Sequence, residues 1–421
     1  MTPVEYSADE FAKWLSKGWK NTDENFPILG ISHDTRTLKP GELYVALKGA
    51  RHDGHDFAVQ AIEKGAAGLL VEREFPMSGN VPQLIVPDTL KALWLLAAGV
   101  RREWTGTVIG ITGSVGKTTV KEMVASVLAQ QGTVSKTPGN WNNAIGLPLG
   151  MLAADRRADF FVFEIGMNHP GEIDSLAALL KPDWAVLTDI GKAHIGFFQT
   201  LDSIAEEKAA LLVHADHALL DETSEWFDLF RSRCKGRIVT FGDEPFEFTV
   251  PQPGEYMIRN ARRAAALGKE LGLTPAKIQA GFEAFTPGAM RWEKTFHCGI
   301  EFINDAYNAN PLSMRAALTA FAELPCEGRK FAVLGAMREL GPASESEHRQ
   351  LGAFADTLKL DRIITIGKKG LQIICQGLLG FEKEQAVDVL RNQLRPGDQV
   401  LFKASRGEGL ETVLEELKTK I

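Results

Sequence analysis

A lysine and two threonines follow a glycine-containing turn in the segment GITGSVGKTTVKE, residues 110–122. The usual phosphate-loop pattern G-x-x-x-x-G-K-[ST] requires a glycine six positions before the lysine, where this chain has isoleucine. The flanking residues nevertheless predict a strand ending at Thr112, a turn over residues 113–116 and a helix from Thr118. The backbone N–H groups of such a turn and the helix N-terminus bind anionic oxygens. The segment therefore predicts a nucleotide phosphate site, with Lys117 on the outer phosphates and Thr118 on Mg²⁺, and a solvated turn is the alternative.

Two further polar side chains that could serve this site follow predicted strands. Glu164 comes directly after the apolar run at residues 160–163, where a carboxylate could bind Mg²⁺ directly or through water. Its alternative role is to cap the next helix. His194 follows the next strand, and a hydrogen-bonded loop residue is its alternative role. Because ligands gather at the carboxyl ends of parallel strands, we expect both side chains to lie near the phosphate loop.

Three asparagines cluster around a tryptophan in the segment TPGNWNNAIGLPLG, residues 137–150: Asn140, Asn142 and Asn143. Such a cluster is typical of tight turns in which the side chains bond to the backbone. The same amide groups could bind a phosphate or carboxylate of a ligand. Composition alone does not separate these two interpretations.

Alternating strand and helix patterns predict the elements that must position these residues. From residue 107 the alternation indicates βαβ units and a parallel sheet, and it resumes after the Pro- and Gly-containing segment FTPGAM. We therefore expect an α/β protein of three domains. These are a small α/β domain at residues 1–87, a central P-loop ATPase-like parallel sheet at 88–288, and a C-terminal Rossmann-like α/β domain at 289–421.

The bulk composition fits this organisation. A chain of 421 residues requires several cores, and its hydrophobic and charged contents of 44% and 24% are ordinary for a globular protein. The net charge of -7 gives no general attraction to nucleic acid or anionic membrane. The N-terminus lacks a signal-peptide pattern and no apolar run is long enough for a membrane helix, so we expect a cytoplasmic protein. We expect a monomer, and assign no role to the scattered cysteines Cys234, Cys298, Cys326 and Cys375.

The phosphate loop and four other segments resemble the Mur ligase family, the ATP-dependent enzymes that add amino acids to the muropeptide precursor of bacterial cell walls. That family writes its loop T-G-[ST]-x-G-K-[ST], which residues 112–118 match. The branch that adds D-alanyl-D-alanine is similar in GNWNNAIGLPL (139–149), EIGMNHPGEI (164–173), INDAYNANPLSMRAAL (303–318) and LGAMRELG (334–341). The N-terminal segment at residues 34–57 is similar to the family's uridine nucleotide domain, so the resemblance covers nearly the whole chain.

This resemblance implies a ligase that joins D-alanyl-D-alanine to UDP-N-acetylmuramoyl tripeptide through an acyl phosphate, with ATP and two Mg²⁺ ions. The catalytic residues would be Lys117, Glu164, His194, Lys208 and Arg291. The metal ligands would be Thr118, Glu164, His194 and Lys208, the last as a carbamylated lysine rather than an exposed helix lysine. ATP would contact Gly113, Ser114, Val115, Gly116, Lys117, Thr118, Thr119, Asn260 (on adenine), Arg291, Asp305 and Tyr307.

The resemblance also implies substrate contacts in all three domains. The uridine diphosphate end would meet Thr35, Arg36, Ala46, Leu47, His52, Asp53 and His55. The remaining substrate contacts would come from Asn140, Asn142, Asn143, Asn308, Asn310, Ser313, Lys403, Ser405 and Arg406. Domain closure would exclude water from the acyl phosphate, with residues 285–290 as part of the hinge.

The chain departs from the family pattern at four places, and other functions compete with this one. The stretch PFEFTVPQPG (245–254) is shorter than usual, and KASR (403–406) stands where the family has K-G-S-R. Ala336 replaces a family aspartate, which removes any ligand role at that position, and residues 254–260 differ from the family segment. The alternatives are a Mur-type ligase that adds diaminopimelate or lysine, a folate polyglutamate enzyme, and a non-catalytic relative that binds muropeptides or nucleotides. The sequence leaves open whether the tripeptide carries diaminopimelate or lysine at its third position.

Overall fold

The computed structural model describes residues 5–75, 79–367 and 378–421. Within them, one four-stranded and two six-stranded sheets, each with flanking helices, follow one another along the chain. The first sheet has four parallel strands in the order β3-β4-β5-β6, and a short antiparallel pair, β1-β2, precedes it. The strands are β1 Tyr6–Ser7, β2 Pro27–Ile28, β3 Ile31–Ser32, β4 Leu43–Val45, β5 Gly68–Val71 and β6 Gln83–Ile85. The helices are α1 Ala8–Leu15, α2 Ala58–Glu63 and α3 Thr89–Arg101.

The central sheet has six parallel strands in the order β12-β11-β10-β7-β9-β8. Its inner strands are mostly apolar and are buried along nearly their whole length, as expected for a parallel sheet that is covered on both faces. The strands are β7 Thr107–Thr112, β8 Val134–Lys136, β9 Phe160–Glu164, β10 Trp184–Leu187, β11 His217–Asp221 and β12 Arg237–Phe241. The helices are α4 Lys117–Leu128, α5 Gly146–Leu152, α6 Glu172–Leu180, α7 Ile195–Phe198, α8 Leu201–Val213, α9 Phe227–Arg233, α10 Glu255–Glu270 and α11 Pro275–Glu283.

The C-terminal sheet has six strands in the order β13-β14-β18-β15-β16-β17, with β13 antiparallel to β14 and the other pairs parallel. Its strands are β13 Glu293–His297, β14 Ile300–Asn304, β15 Lys330–Leu334, β16 Arg362–Ile366, β17 Leu378–Phe381 and β18 Gln399–Lys403. Its helices are α12 Pro311–Glu323, α13 Ser344–Ala355, α14 Lys383–Gln393 and α15 Leu410–Lys420. The predicted α/β fold class is confirmed.

Apolar clusters cover both faces of each six-stranded sheet. On one face of the central sheet, buried residues of α4, α10 and α11 pack together. On the other face, α5, α6 and α8 share a core with α3 and with the N-terminal residues. Tyr6 adds a hydrogen bond between the N-terminal residues and the central sheet region, since its hydroxyl donates to the Leu152 carbonyl at 2.8 Å. The N-terminal sheet is therefore joined to the central sheet through a continuous core.

Two further expectations from the sequence concern membrane-spanning helices and the cysteines. Within the described ranges, every helix is too short or too polar to cross a bilayer. Cys234, Cys298 and Cys326 are free thiols, and Cys375 lies outside the described residues.

Candidate active site

The connection between β7 and α4 has the strand, turn and helix arrangement that the sequence predicts. The backbone carbonyl of Asp189, which follows β10, accepts the N–H groups of Ser114 and Val115 at 2.9 and 3.2 Å. The first regular bond of α4 runs from the Val120 N–H to the Gly116 carbonyl at 2.8 Å. The N–H groups before it have no acceptor within the helix, as at every helix N-terminus. Together with the helix dipole they form an anion site.

Gly116 and Asn260 lie in close contact at this turn. Gly116 has φ 87°, and a Cβ added there would lie 2.7 Å from the Asn260 Oδ1 atom. Glycine is therefore required both by backbone conformation and by space. Asn260 is 3% exposed, and its Oδ1 atom accepts no hydrogen bond from the described residues. An unused buried acceptor beside the loop is consistent with the expected contact to adenine.

Lys117 begins α4 and points back over the loop, where its Nζ donates to the Gly113 carbonyl at 2.8 Å. Burial lowers the pKa of Lys117 from its usual range, the Glu164 carboxylate opposes this effect, and the Arg291 guanidinium adds to it. Two cations thus lie near the Glu164 carboxylate, and the Glu339 carboxylate also acts on Lys117. A bound polyphosphate would supply further negative charge.

Thr118 and Glu164 are in direct contact. The Thr118 hydroxyl donates to Glu164 Oε2 at 2.7 Å, and the Asn142 amide donates to Glu164 Oε1 at 2.7 Å. Thr137 fixes the end of β9, because its hydroxyl accepts the Glu164 N–H at 2.9 Å. The carboxylate is almost fully buried at the carboxyl edge of the sheet, beside the phosphate loop.

The donor set at this point fits the expected Mg²⁺. A hydroxyl and a carboxylate lie within 2.7 Å of each other, and hard oxygen donors are the ligands that Mg²⁺ prefers. In the part of the chain that the structure describes, no three His, Cys, Asp or Glu side chains cluster as a metal site. Phosphate oxygens and water would therefore complete the coordination.

His194 reaches the cavity from a left-handed position with φ 59°. Its Nδ1 atom lies 2.7 Å from Glu339 Oε2, and this contact holds the pKa of Glu339 below its usual range. The backbone adds a second link, since the Gly196 N–H donates to the Glu339 carbonyl at 3.3 Å. The loop after β10 is thereby attached to the C-terminal sheet.

Lys208 lies in α8 and is 1% exposed, which excludes the expectation of an ordinary surface lysine. Burial lowers its pKa well below the usual range, and the Lys117 charge adds to this effect. It is not among the side chains that line the cavity.

Arg291 lies in the connection between α11 and β13. Its Nη2 donates to the Thr118 hydroxyl at 3.0 Å, and its guanidinium carbon lies 4.0 Å from the centre of the Tyr307 ring. The two flanking residues, Met290 and Trp292, have φ 58° and 56°, in the left-handed region that non-glycine residues rarely adopt. The backbone at this joint is therefore strained on both sides of the arginine.

On the C-terminal side of the cavity, Asp305 and Lys403 form an ion pair. The Lys403 Nζ lies 2.5 Å from Asp305 Oδ2 and also donates to the Asn308 carbonyl at 3.3 Å. The other oxygen, Asp305 Oδ1, accepts the Trp292 N–H at 3.2 Å. The ends of β14 and β18 are thereby fixed to the strained joint.

Four of the residues predicted to contact the substrates have structural bonds. Asn310 and Ser313 form a capping box at the start of α12, with reciprocal bonds of 2.9 and 3.0 Å between side chain and backbone. The Ser405 hydroxyl accepts the Arg338 N–H at 2.8 Å. The exposed Arg406 side chain forms an ion pair with Glu411 at 3.2 Å. Asn310 and Ser313 still line the cavity, whereas Ser405 and Arg406 do not.

The residues expected at the uridine diphosphate end lie in the N-terminal sheet, away from this cavity. His55 is fully buried, with its Nε2 accepting the Glu72 N–H at 2.9 Å and its Nδ1 lying 2.5 Å from Asp53 Oδ1. Both ring nitrogens are occupied, so the proton lies on Nδ1 and the ring supports the turn. The contact of His55 with the uridine diphosphate end stays a prediction.

The other residues expected at the uridine diphosphate end differ in how exposed their side chains are. The Thr35 hydroxyl donates to Gln60 at 2.6 Å, and Arg36 pairs with Asp34 at 2.6 Å. Ala46 and Leu47 are buried directly after β4, and their backbone N–H and carbonyl groups are bonded within the N-terminal sheet and its loops. His52 is exposed.

One cavity of about 320 Å³ brings together most of the predicted residues from the central and C-terminal sheets. Its lining includes the predicted residues Ser114, Val115, Gly116, Lys117, Thr118, Thr119, Asn140, Asn142, Asn143, Glu164, His194, Asn260, Arg291, Asp305, Tyr307, Asn308, Asn310, Ser313 and Lys403. Gly113, Lys208, Ser405, Arg406 and the N-terminal group are not part of it.

Sequence reasoning missed four residues that hold this site. They are Thr137 behind Glu164, Glu339 beside His194, and the pair Asp189 and Arg263 behind the phosphate loop. Each acts on a residue far away in the chain. Glu339 lies in the segment LGAMRELG (334–341), which resembles the family, but nothing in that segment indicates a contact with the central sheet.

Family models match the chain in three consecutive parts. The model of the Mur ligase family catalytic domain matches residues 27–101, the Mur ligase middle domain matches 111–245, and the Mur ligase glutamate ligase domain matches 290–406.

Known proteins are similar over nearly the whole length. The UDP-N-acetylmuramoyl-tripeptide--D-alanyl-D-alanine ligase of Bacillus subtilis (strain 168) is 37% identical, over 94% of this chain and 94% of its own. A crystal structure of MurF from Acinetobacter baumannii superposes with a TM-score of 0.90 at 30% identity, and covers 100% of both chains. The MurF ligase of Thermotoga maritima in complex with ADP has a TM-score of 0.81 at 29% identity, over 93% of this chain and 97% of that one.

Proposed function

The chain belongs to the Mur ligase family, and from this membership we propose that it joins D-alanyl-D-alanine to UDP-N-acetylmuramoyl tripeptide, with ATP converted to ADP and phosphate. This reaction belongs to peptidoglycan precursor synthesis. The observation that carries the proposal is the cavity in which Lys117 and Thr118 of the phosphate loop face Glu164 and Arg291.

The first step makes an acyl phosphate. An oxygen of the tripeptide's terminal carboxylate attacks the γ-phosphorus of ATP, the bond to the β,γ-bridging oxygen breaks, and ADP leaves. Negative charge is spread over the transferring group in this step. Lys117 and Arg291 lie on either side of Thr118, where they would stabilise that charge.

The second step forms the peptide bond. The amine of D-alanyl-D-alanine attacks the activated carbonyl carbon, inorganic phosphate leaves with the bonding electron pair, and the nitrogen loses a proton. Asn308 and the α12 N-terminus, both on the cavity wall, are the proposed contacts for the dipeptide. Water must be excluded, because it would hydrolyse the acyl phosphate.

Two Mg²⁺ ions are part of the proposal. Thr118 and Glu164 would hold one of them, and His194 and a carbamylated Lys208 would contribute to the second. When bound, the ions offset the charge of the β- and γ-phosphates.

Burial supports the carbamylation of Lys208. Carbon dioxide adds to the neutral form of an amine, and burial lowers the pKa of Lys208 so that this form is favoured. The product is an anion, which a divalent cation can bind.

The domain arrangement and assembly are proposed on the same basis. We propose domains at residues 1–87, 88–288 and 289–421, with the strained positions Met290 and Trp292 close to the hinge. The N-terminal residues around Thr35 and His52 would take the uridine diphosphate end. A monomer is proposed, and size-exclusion chromatography with light scattering would test it.

Phosphate release tests the function. We expect turnover that requires ATP, UDP-N-acetylmuramoyl tripeptide and D-alanyl-D-alanine together, and mass spectrometry should identify the pentapeptide product. Turnover with a single amino acid in place of the dipeptide would contradict the proposal. Comparison of tripeptides that carry diaminopimelate or lysine would identify the natural substrate.

A further inference from the structure

Arg263 is an arginine of α10 that is buried behind the phosphate loop. Its side chain is 2% exposed, and its Nη2 lies 2.7 Å from Asp189 Oδ1 and 3.3 Å from Asp221 Oδ2. Its Nε also donates to the Leu187 carbonyl at 3.0 Å. One guanidinium therefore bonds to the carboxyl ends of two neighbouring strands, β10 and β11.

Arg259, one turn earlier in α10, completes this cluster. Its Nη2 lies 2.9 Å from Asp221 Oδ2 and 3.5 Å from Asp189 Oδ1. Two cations thus balance two carboxylates, which a buried charged cluster requires. Arg259 makes its shorter contact with Asp221, whereas the shorter of the two contacts to Asp189 comes from Arg263.

The cluster connects to the phosphate loop through the backbone of Asp189. The carbonyl of this residue accepts the N–H groups of Ser114 and Val115, which holds the start of the loop against the end of β10. The same helix also contacts the loop from its other side, where Asn260 packs against Gly116. The position of the loop thus depends on α10 at two points.

We propose that Arg263 is a positioning residue for ATP: through Asp189 it fixes the phosphate loop so that the N–H groups of residues 116–119 meet the phosphates. Loop geometry matters because displacement of a binding group by about 1 Å can cost about a hundredfold in rate. The inference rests on the proposed use of ATP, and it adds two residues, Asp189 and Arg263, that do not line the cavity of the phosphate loop.

The variant Arg263→Lys tests this role with isothermal titration calorimetry of ADP. Lysine keeps the charge but cannot bond to Leu187, Asp189 and Asp221 together, because it lacks the planar fork of arginine. We expect the ADP dissociation constant and the KM for ATP to rise about tenfold, as for loss of one hydrogen bond to a charged group. The KM for UDP-N-acetylmuramoyl tripeptide should stay unchanged.

The variant Asp189→Asn provides a second measurement, because it keeps the backbone carbonyl and removes the carboxylate. We expect weaker ADP binding again, and the double variant should bind ADP no more weakly than the weaker single variant. If Arg263→Lys does not fold, Asp189→Asn alone decides the question.

The matched control is Arg329→Lys, which breaks a comparable bond of 2.7 Å to the buried Asp398 in the C-terminal sheet. It should lower the melting temperature and leave ADP affinity intact. Folded variants of Arg263 and Asp189 with wild-type ADP affinity would overturn the inference, as would effects that simply multiply in the double variant. A wild-type protein that binds no ADP would instead contradict the proposed function.

Discussion

Glu339 Oε2 lies 2.7 Å from His194 Nδ1, so a carboxylate after the strand β15 contacts an imidazole after the strand β10. The first belongs to the C-terminal sheet and the second to the central sheet. A histidine that binds a metal or phosphate commonly donates its other nitrogen to a carboxylate, which fixes the ring. We therefore expect the ion pair between the two sheets to restrain the orientation of His194.

Loss of this carboxylate should impair catalysis more than stability. For Glu339→Gln we expect kcat to fall by about tenfold, the lower end of the effects seen when a partner of a ligating histidine is removed. Glu339 is half exposed, so its ion pair contributes little to folding. Steady-state phosphate release gives kcat, and differential scanning calorimetry gives the melting temperature.

Glu347→Gln is the matched control for this prediction. Glu347 pairs with Lys192 of the same loop at 2.6 Å, also between the two sheets, but neither residue touches His194. Equal losses of kcat in both variants would show that the effect comes from domain contact in general, and would contradict the proposed orientation of His194.

We expect Lys208 to lower the stability of the folded protein while it supports activity. Replacement by methionine removes an amine that is buried at a cost to folding, so the melting temperature of the nucleotide-free protein should rise. Activity should fall by about a hundredfold or more if the lysine serves the metal site. In wild-type protein, activity should fall in buffer free of carbon dioxide and return with bicarbonate, whereas Lys208→Met should not respond.

Lys121→Met is the control for a buried lysine that has partners. Its Nζ donates to the carbonyls of Thr137 and Gly139 at 2.8 and 2.9 Å, and it pairs with Glu122. This variant leaves those groups unsatisfied, so its melting temperature should fall. A fall for Lys208→Met as well would show that burial of Lys208 is compensated in the folded protein.

The fold and the centre of the site could be predicted because their signals are local. The phosphate loop needs only a strand, two glycines and a helix that are adjacent in the chain, and Glu164 directly ends an apolar run. Periodicity likewise indicated a large sheet with flanking helices in both the central and the C-terminal part of the chain.

The remaining contacts could not be predicted because they join distant segments. An arginine in a helix is usually exposed, so nothing in the pattern around Arg263 indicates that it is buried against β10. The capping box of Asn310 and Ser313 did have a local signal, an asparagine three residues before a serine ahead of an apolar helix. Because the segment resembles a family motif, Asn310 and Ser313 were expected to contact a ligand rather than to cap the helix.

Glu122 gives a pH-dependent contribution to stability. Burial alone would raise its pKa, but the charge of Lys121 and the hydrogen bond from Lys136 hold the pKa of Glu122 below its usual range. The folded state therefore keeps the carboxylate ionised to lower pH than the unfolded chain does. Stabilisation is complete above about pH 4.3 and is lost as the pH falls through the folded pKa.

Comparison of the wild type with Glu122→Gln isolates this effect. At pH 7 we expect the variant to be less stable by about 2 kcal/mol, as for a hydrogen bond to a charged group. The difference in melting temperature should shrink as the pH falls below 4. A difference that stays constant between pH 7 and pH 3 would exclude ionisation of Glu122 as its source.

Gly116→Ala should weaken nucleotide binding through a steric clash as well as through backbone strain. Gly116 has φ 87°, and an added Cβ would lie 2.7 Å from Asn260 Oδ1, so either the loop or the buried Asn260 side chain must move. Gly272→Ala separates the two causes, because Gly272 has φ 83° and nothing within 4 Å of an added Cβ. We expect each alanine to cost about 1 kcal/mol of stability from its backbone conformation. Only Gly116→Ala should weaken ADP binding in calorimetry, by about a hundredfold. If both variants bind ADP like the wild type, the turn at residues 113–116 does not hold the phosphates.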